Sequence, residues 1–141
     1  MLDFTAAPLF EHHRLTAPIR PDPFAISVRA GGDQDIYEAS VVDPTGGKCA
    51  RFVNAARRDI AITYSSRGAS LLMSVNSEAD TTLTVDLPDG TRRCNDDAHN
   101  STDNPRLYFP DGMSGRDDIW VGTRNQDSTF PAAQFRVSNQ L

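Results

Sequence analysis

Lysine is almost missing from this chain: Lys48 is the only one among 14 basic residues, and the formal net charge is −5. The arginines are scattered and form no stripe. That excludes the positive track with which proteins neutralise a nucleic-acid backbone, and the acidic balance disfavours docking on an anionic membrane surface. Long apolar runs are missing too. The longest lies near Leu71-Leu72-Met73, far short of the ~20 residues a spanning helix needs, so no membrane insertion is expected. Met1-Leu2-Asp3 lacks the basic-then-apolar order of a secretory signal. Two expectations follow: the protein stays inside, or the chain is a mature form with an added Met1. A third scarcity is cysteine, with two residues, Cys49 and Cys94. Their wide spacing fits neither a CxxC redox motif nor a zinc site. They are two buried thiols or one disulfide; the disulfide would contribute about 4 kcal/mol for a loop of this size.

Catalytic signatures are equally sparse. No G-x-S-x-G elbow surrounds a serine, and Gly31-Gly32 follows a strand pattern without opening a helix, which excludes a phosphate loop. The histidines are His12, His13 and His99; a zinc site would need a fourth ligand for them, and they read as solvated side chains. A Ser/His/Asp triad is only a formal possibility.

Alternation with a period of two is what the chain does have. Only 38% of its 141 residues are hydrophobic, a composition that suits two thin sheets better than a thick helical bundle. Phe24, Ile26 and Val28 alternate with Ala25, Ser27 and Arg29, as in a half-buried strand. Ile36–Val42 is a second candidate, closed by the turn Asp43-Pro44-Thr45-Gly46-Gly47. The pattern returns at Ile60/Ile62/Tyr64, Leu71/Met73/Val75 and Leu83/Val85/Leu87. Pro88-Asp89-Gly90-Thr91 then turns the chain, and Arg92–Cys94, Leu107–Phe109, Ile119/Val121/Thr123 and Ala133–Val137 follow. Cys49–Arg58 is a helical turn or a connecting loop. The expected fold is all-β: a two-sheet antiparallel β-sandwich, jelly-roll-like, of about eight short strands, with a closed barrel as the alternative. Residues 1–22 carry three prolines without sustained periodicity. They are expected to form an N-terminal arm or irregular edge segment beside a sandwich domain over residues 23–141.

The segment after Cys94 is the most polar. Asp96, Asp97, Asp103 and Asn104 lie close together, and Asp118 can approach from a neighbouring strand. Calcium takes six to eight oxygen ligands, so these five residues form a candidate calcium site, although EF-hand spacing is absent. Turn-capping by Asp and Asn is the plainer reading. Paired carboxylates also perform glycoside hydrolysis, but adjacent exposed aspartates lack the desolvation a general acid needs. Trp120 is either a core anchor beside the cysteines or, with Tyr108, an exposed platform for a partner such as a sugar ring.

Several segments in order resemble a known family: Arg20-Pro21-Asp22-Pro23, Ala30-Gly31-Gly32, Gly47-Lys48-Cys49, Asp80-Thr81-Thr82-Leu83, Leu87-Pro88-Asp89-Gly90, Cys94-Asn95-Asp96-Asp97 and Ser114–Gly122. Over residues 15–141 the chain is similar to the bacterial pre-peptidase C-terminal domain family, particularly its two-cysteine branch. The resemblance implies a jelly-roll-like sandwich, a Cys49–Cys94 disulfide, an extracytoplasmic setting and an accessory, non-catalytic role beside secreted peptidases, with calcium in some relatives. The chain departs from the family at Asp117, where an aromatic residue is common, and at Ala98–Thr102, where a glycine-rich loop is common. The leading expectation is an exported binding module for a protein or cell-surface polymer. The alternatives are a structural subunit, forming a homo-oligomer through Leu9 and Phe10 of the arm, and a small Asp-dependent hydrolase.

Overall fold

The computed structural model describes residues 11–36, 42–43, 47–49, 52–54, 59–95, 104–125 and 130–140. Every regular element among them is a strand. In chain order these are β1 (Glu11–Thr16), β2 (Phe24–Arg29), β3 (Gln34–Asp35), β4 (Val42–Asp43), β5 (Gly47–Lys48), β6 (Phe52–Val53), β7 (Ile60–Ser65), β8 (Leu71–Asn76), β9 (Thr81–Asp86), β10 (Arg92–Asn95), β11 (Arg106–Phe109), β12 (Gly115–Thr123) and β13 (Ala132–Ser138). The expected sandwich is present, built from more and shorter strands than the alternation suggested.

The larger sheet is organised around β12. Strand β9 pairs with one side of it, and β10 extends that side. On the other side β7 pairs with Gly115–Ile119, and β6 joins only at Thr123. Between them β12 has a fork where a backbone amide would go unpaired. The Asp59 carboxylate fills it: Oδ2 accepts the Val121 amide at 2.6 Å, while the Val121 carbonyl accepts from Gly31 N. A buried main-chain donor must find such a partner, and here the residue just before β7 supplies it. The smaller sheet runs β11-β8-β13-β2, all antiparallel.

The core lies between the two sheets. Ile60, Ile62, Tyr64, Leu83, Val85, Ile119 and Val121 from the larger sheet meet Ile26, Val28, Leu71, Met73, Val75, Leu107, Phe135 and Val137 from the smaller. Strict alternation explains the smaller sheet, whose intervening residues face outward. It fails for β9 and β12, which are buried on both faces. A second cluster of Ile36, Cys49, Val53, Trp120 and partly buried Cys94 lies on the outer face of the larger sheet, so Ile36, Cys49 and Val53 form a partial cover there. Gly122 permits this close approach: a Cβ there would meet Thr82 Oγ1 at 2.5 Å and the Phe52 carbonyl at 2.7 Å.

The N-terminal expectation needs correction. Glu11–Thr16 is not an irregular arm but a regular edge strand, paired in parallel with β7 from Glu11↔Ile60 to Thr16↔Ser65. Leu15, Ala17 and Ile19 enter the core, so the sandwich begins before residue 23. The opposite chain end is tied to this segment. Asn139 Oδ1 accepts the Ile19 amide, and its Nδ2 donates to Tyr64 Oη at 2.8 Å and to the Ser70 carbonyl. Leu9 and Phe10, expected at an oligomer contact, lie outside the described residues.

Candidate functional site

The disulfide and the acidic residues of β12 organise the outer face of the larger sheet. Cys49 and Cys94 are bonded, with Cα atoms 5.6 Å apart. Cys94 lies opposite Thr84, and Thr84 opposite Trp120. The bond therefore fastens the covering chain to the sheet directly over the indole. Trp120 has no solvent exposure. This corrects the partner-platform reading: Trp120 is a core anchor, and Tyr108, 39% exposed, is on the other sheet. The two aromatics share no surface.

Beyond the cover, the same face opens into a groove of about 590 Å³ lined by Asp86, Arg92, Arg116, Asp118 and the Leu87–Gly90 turn. Gly115, at φ +130°, passes so close to this turn that a Cβ would meet Pro88 Cβ at 2.6 Å. Asp86 and Asp118 face each other across β9 and β12. Like charges in that position repel, and each is offset by an arginine. Arg92 grips Asp86 through both oxygens, the Nη2–Oδ2 contact being 3.0 Å. Arg116 Nε lies 3.3 Å from Asp118 Oδ1. Both carboxylates are thus held in ion pairs, a poor arrangement for a proton-bearing general acid.

Asp117 behaves differently because neighbouring strand residues face opposite ways. Asp118 lines the groove, whereas Asp117 points into the core near Tyr64. Burial, and secondarily the charge of Asp118, pushes its carboxyl up to about 8. Burial raises Asp59 as well, against the lowering effect of its bond from Val121 N. The adjacent pair Asp117–Asp118 therefore cannot act on one substrate. On the groove side, His12 is separated from Asp118 by a full strand, with Ala61 between them in register. Its Nε2 lies 3.1 Å from Thr63 Oγ1. No His–Asp dyad forms there.

Of the proposed calcium ligands, Asn104 and Asp118 are described, and these two lie far apart. Asp96, Asp97 and Asp103, like His99, lie outside the described residues. Asn104 is engaged as a turn clamp: Oδ1 accepts from Thr81 Oγ1 at 3.1 Å, and Nδ2 donates to the Ser77 carbonyl at 3.0 Å. Thr81 is opposite Thr123 at one end of β9, and Asp118 is opposite Asp86 at the other. Five residues of strand put them about 17 Å apart, so Asn104 and Asp118 cannot share an ion. Among the described residues no group of three or more His, Cys, Asp or Glu is placed to hold a metal.

The sequence reading missed the groove. Its signal was the recurrence of Asp and Arg at Asp86, Arg92, Arg116 and Asp118, but only strand register shows that these meet.

No family model and no curated protein matches the chain. Among solved structures it is similar to the crystal structure of Aeromonas hydrophila PliG, a periplasmic lysozyme inhibitor of g-type lysozyme. The two are 12% identical, with 94% of this chain and 98% of that chain covered and a TM-score of 0.41.

Proposed function

We propose that this protein is an extracytoplasmic, non-catalytic binding module that engages a protein or cell-surface polymer. The carrying observation is the Cys49–Cys94 bond over buried Trp120. A structural disulfide of this kind belongs to an oxidising compartment, where it keeps the outer layer of a small sandwich closed. The accessory role that the pre-peptidase C-terminal resemblance implies agrees with this reading. So does the ion-paired state of Asp86 and Asp118, which leaves the groove without an acid–base pair.

Two measurements test it. Cells expressing the full natural gene product are acid-quenched and alkylated under denaturing conditions without reductant. The expected result is a protein with no alkylated cysteine in the extracytoplasmic fraction; two alkylated cysteines in a cytoplasmic fraction overturn the proposed setting. A panel of glycoside, ester and peptide substrates tests the non-catalytic role. Turnover by the wild type that disappears in D86N/D118N would return the chain to the hydrolases.

A further inference from the structure

The two sheets treat their outer faces differently. That of the larger sheet is partly covered, whereas among the described residues no second layer packs on the outer face of β11-β8-β13-β2. Its four strands read RLYF, LLMSVN, AAQFRVS and FAISVR. They contain three arginines, Arg29, Arg106 and Arg136, and no Asp or Glu, in a chain of net charge −5. The charged residues of these four strands are therefore all basic, in a chain that is acidic as a whole.

Register orders that face into rows. Arg106 lies opposite Ser74, and Ser74 opposite Arg136, which sets the two arginines about 10 Å apart with a hydroxyl between them. One step along, about 7 Å away, Tyr108, Leu72 and Ser138 form a parallel row. Arg106 and Tyr108 are exposed, and Leu72 is half-buried. Arg136 Nε donates to Gln134 Oε1 at 2.6 Å, which steadies the guanidinium and leaves its other nitrogens for a ligand. A shallow depression of about 290 Å³ lies at the β8–β13 end of both rows, lined by Leu72, Ser74, Arg136 and Ser138 with Asp22, Pro23 and Gln140, while Arg106 and Tyr108 lie outside it. Asp22 stands at its rim, accepting from Ser138 Oγ and Asn139 N.

We propose that this face docks an extended acidic polysaccharide, a glycan carrying uronic acids. The proposal rests on the binding-module reading above and names the chemistry of its partner. Each component of such a polymer finds its complement. Carboxylates meet Arg106 and Arg136 in charge-assisted pairs, the apolar face of a sugar ring lies on Tyr108 and Leu72, and ring hydroxyls meet Ser74 and Gln134. The two rows cross strands β11, β8 and β13, which suits a chain lying across them. A helical protein partner would instead need an apolar groove for its anchors.

The test is calorimetric titration of the intact, oxidised protein with oligogalacturonate, neutral cello-oligosaccharides of equal length and poly-glutamate. Oligogalacturonate is expected to bind and to weaken with added salt, the cello-oligosaccharide to bind at least about tenfold more weakly. R106Q and R136Q should each weaken binding roughly threefold or more and together beyond about tenfold; Y108A should cost about threefold. R14Q, on the edge strand of the other sheet, should have no effect. Thermal melting of each variant establishes that it is folded. The proposal is overturned by absence of uronate binding, by equal binding of the neutral oligomer, or by equal sensitivity to R14Q. Poly-glutamate binding as tightly, with no loss in Y108A, overturns the glycan in favour of an acidic protein. These outcomes are separable from the proposed setting, since alkylated cysteines in a cytoplasmic protein overturn that whatever the titration gives.

Discussion

Asp117, like Asp59, holds a proton that couples folding to pH. Its carboxyl is at about 8 when folded and near 4 in an unfolded chain. Below pH 4 both states carry the proton and folding loses nothing. Between pH 4 and 8 the unfolded state releases it while the folded state retains it, so stability declines as pH rises. Above 8 the folded protein must bury a charge beside Asp118. D117N is therefore expected to flatten the decline and to be more stable than wild type at pH 8, by on the order of 2–4 kcal/mol. Denaturant melts at pH 5 and pH 8 measure this, and parallel pH profiles for the two proteins would contradict it. Asn104 gives a second residue-scale prediction. It joins Thr81 to the Ser77 carbonyl, so N104A should destabilise by about 1–2 kcal/mol, equally with and without millimolar calcium. A calcium-dependent difference would return Asn104 to a metal site.

At the scale of the element, the disulfide and its cover are one device. Removing it in C49S/C94S is expected to cost about 2–4 kcal/mol. Trp120 fluorescence should shift to the red in the folded variant as water reaches the indole. An unchanged spectrum would mean that packing alone keeps the cover closed. The elements also show what the residues made legible. Ile26/Val28, Leu71/Met73/Val75 and Phe135/Val137 announced their strands because each has one wet face and one dry face. Strand β1 escaped notice because His12, His13 and Arg14 mask its inward series Leu15, Ala17 and Ile19, and Pro18 interrupts it. β9 alternates Thr with Leu and Val as if half-exposed, yet both its faces are buried. The threonines lie toward the outer layer, and nothing local in TTLTVD signals that a distant segment will cover them. The disulfide was legible as one of two options; the groove and the arginine rows were not, because strand register alone creates them.

At the scale of the whole molecule, the N-terminal strand moves the edge of the larger sheet from apolar β7 (IAITYS) to polar β1 (EHHRLT). Strand β7 pairs with β12 on one side and with β1 on the other. Deleting residues 1–16 would leave β7 with a row of unpaired amides and carbonyls and remove Leu15 from the core. Such an edge recruits another chain. The truncated protein should melt at lower temperature and self-associate in sedimentation velocity, whereas the intact chain keeps that edge covered. A truncated protein of unchanged Tm and mass would show β1 to be dispensable.

The position of β12 along the chain carries a consequence for how the molecule is made. This strand gathers β6, β7 and β9, yet it begins only at Gly115. During synthesis both cysteines emerge before the strand that organises their sheet. Until then no larger sheet can assemble, and the early chain stays open to chaperones and to oxidants alike. A central strand that follows both cysteines in the chain makes closure of the larger sheet wait on β12. Until β12 is available, the Cys49–Cys94 bond has no assembled sheet to fasten, so the order of the strands along the chain puts sheet closure ahead of the covalent lock.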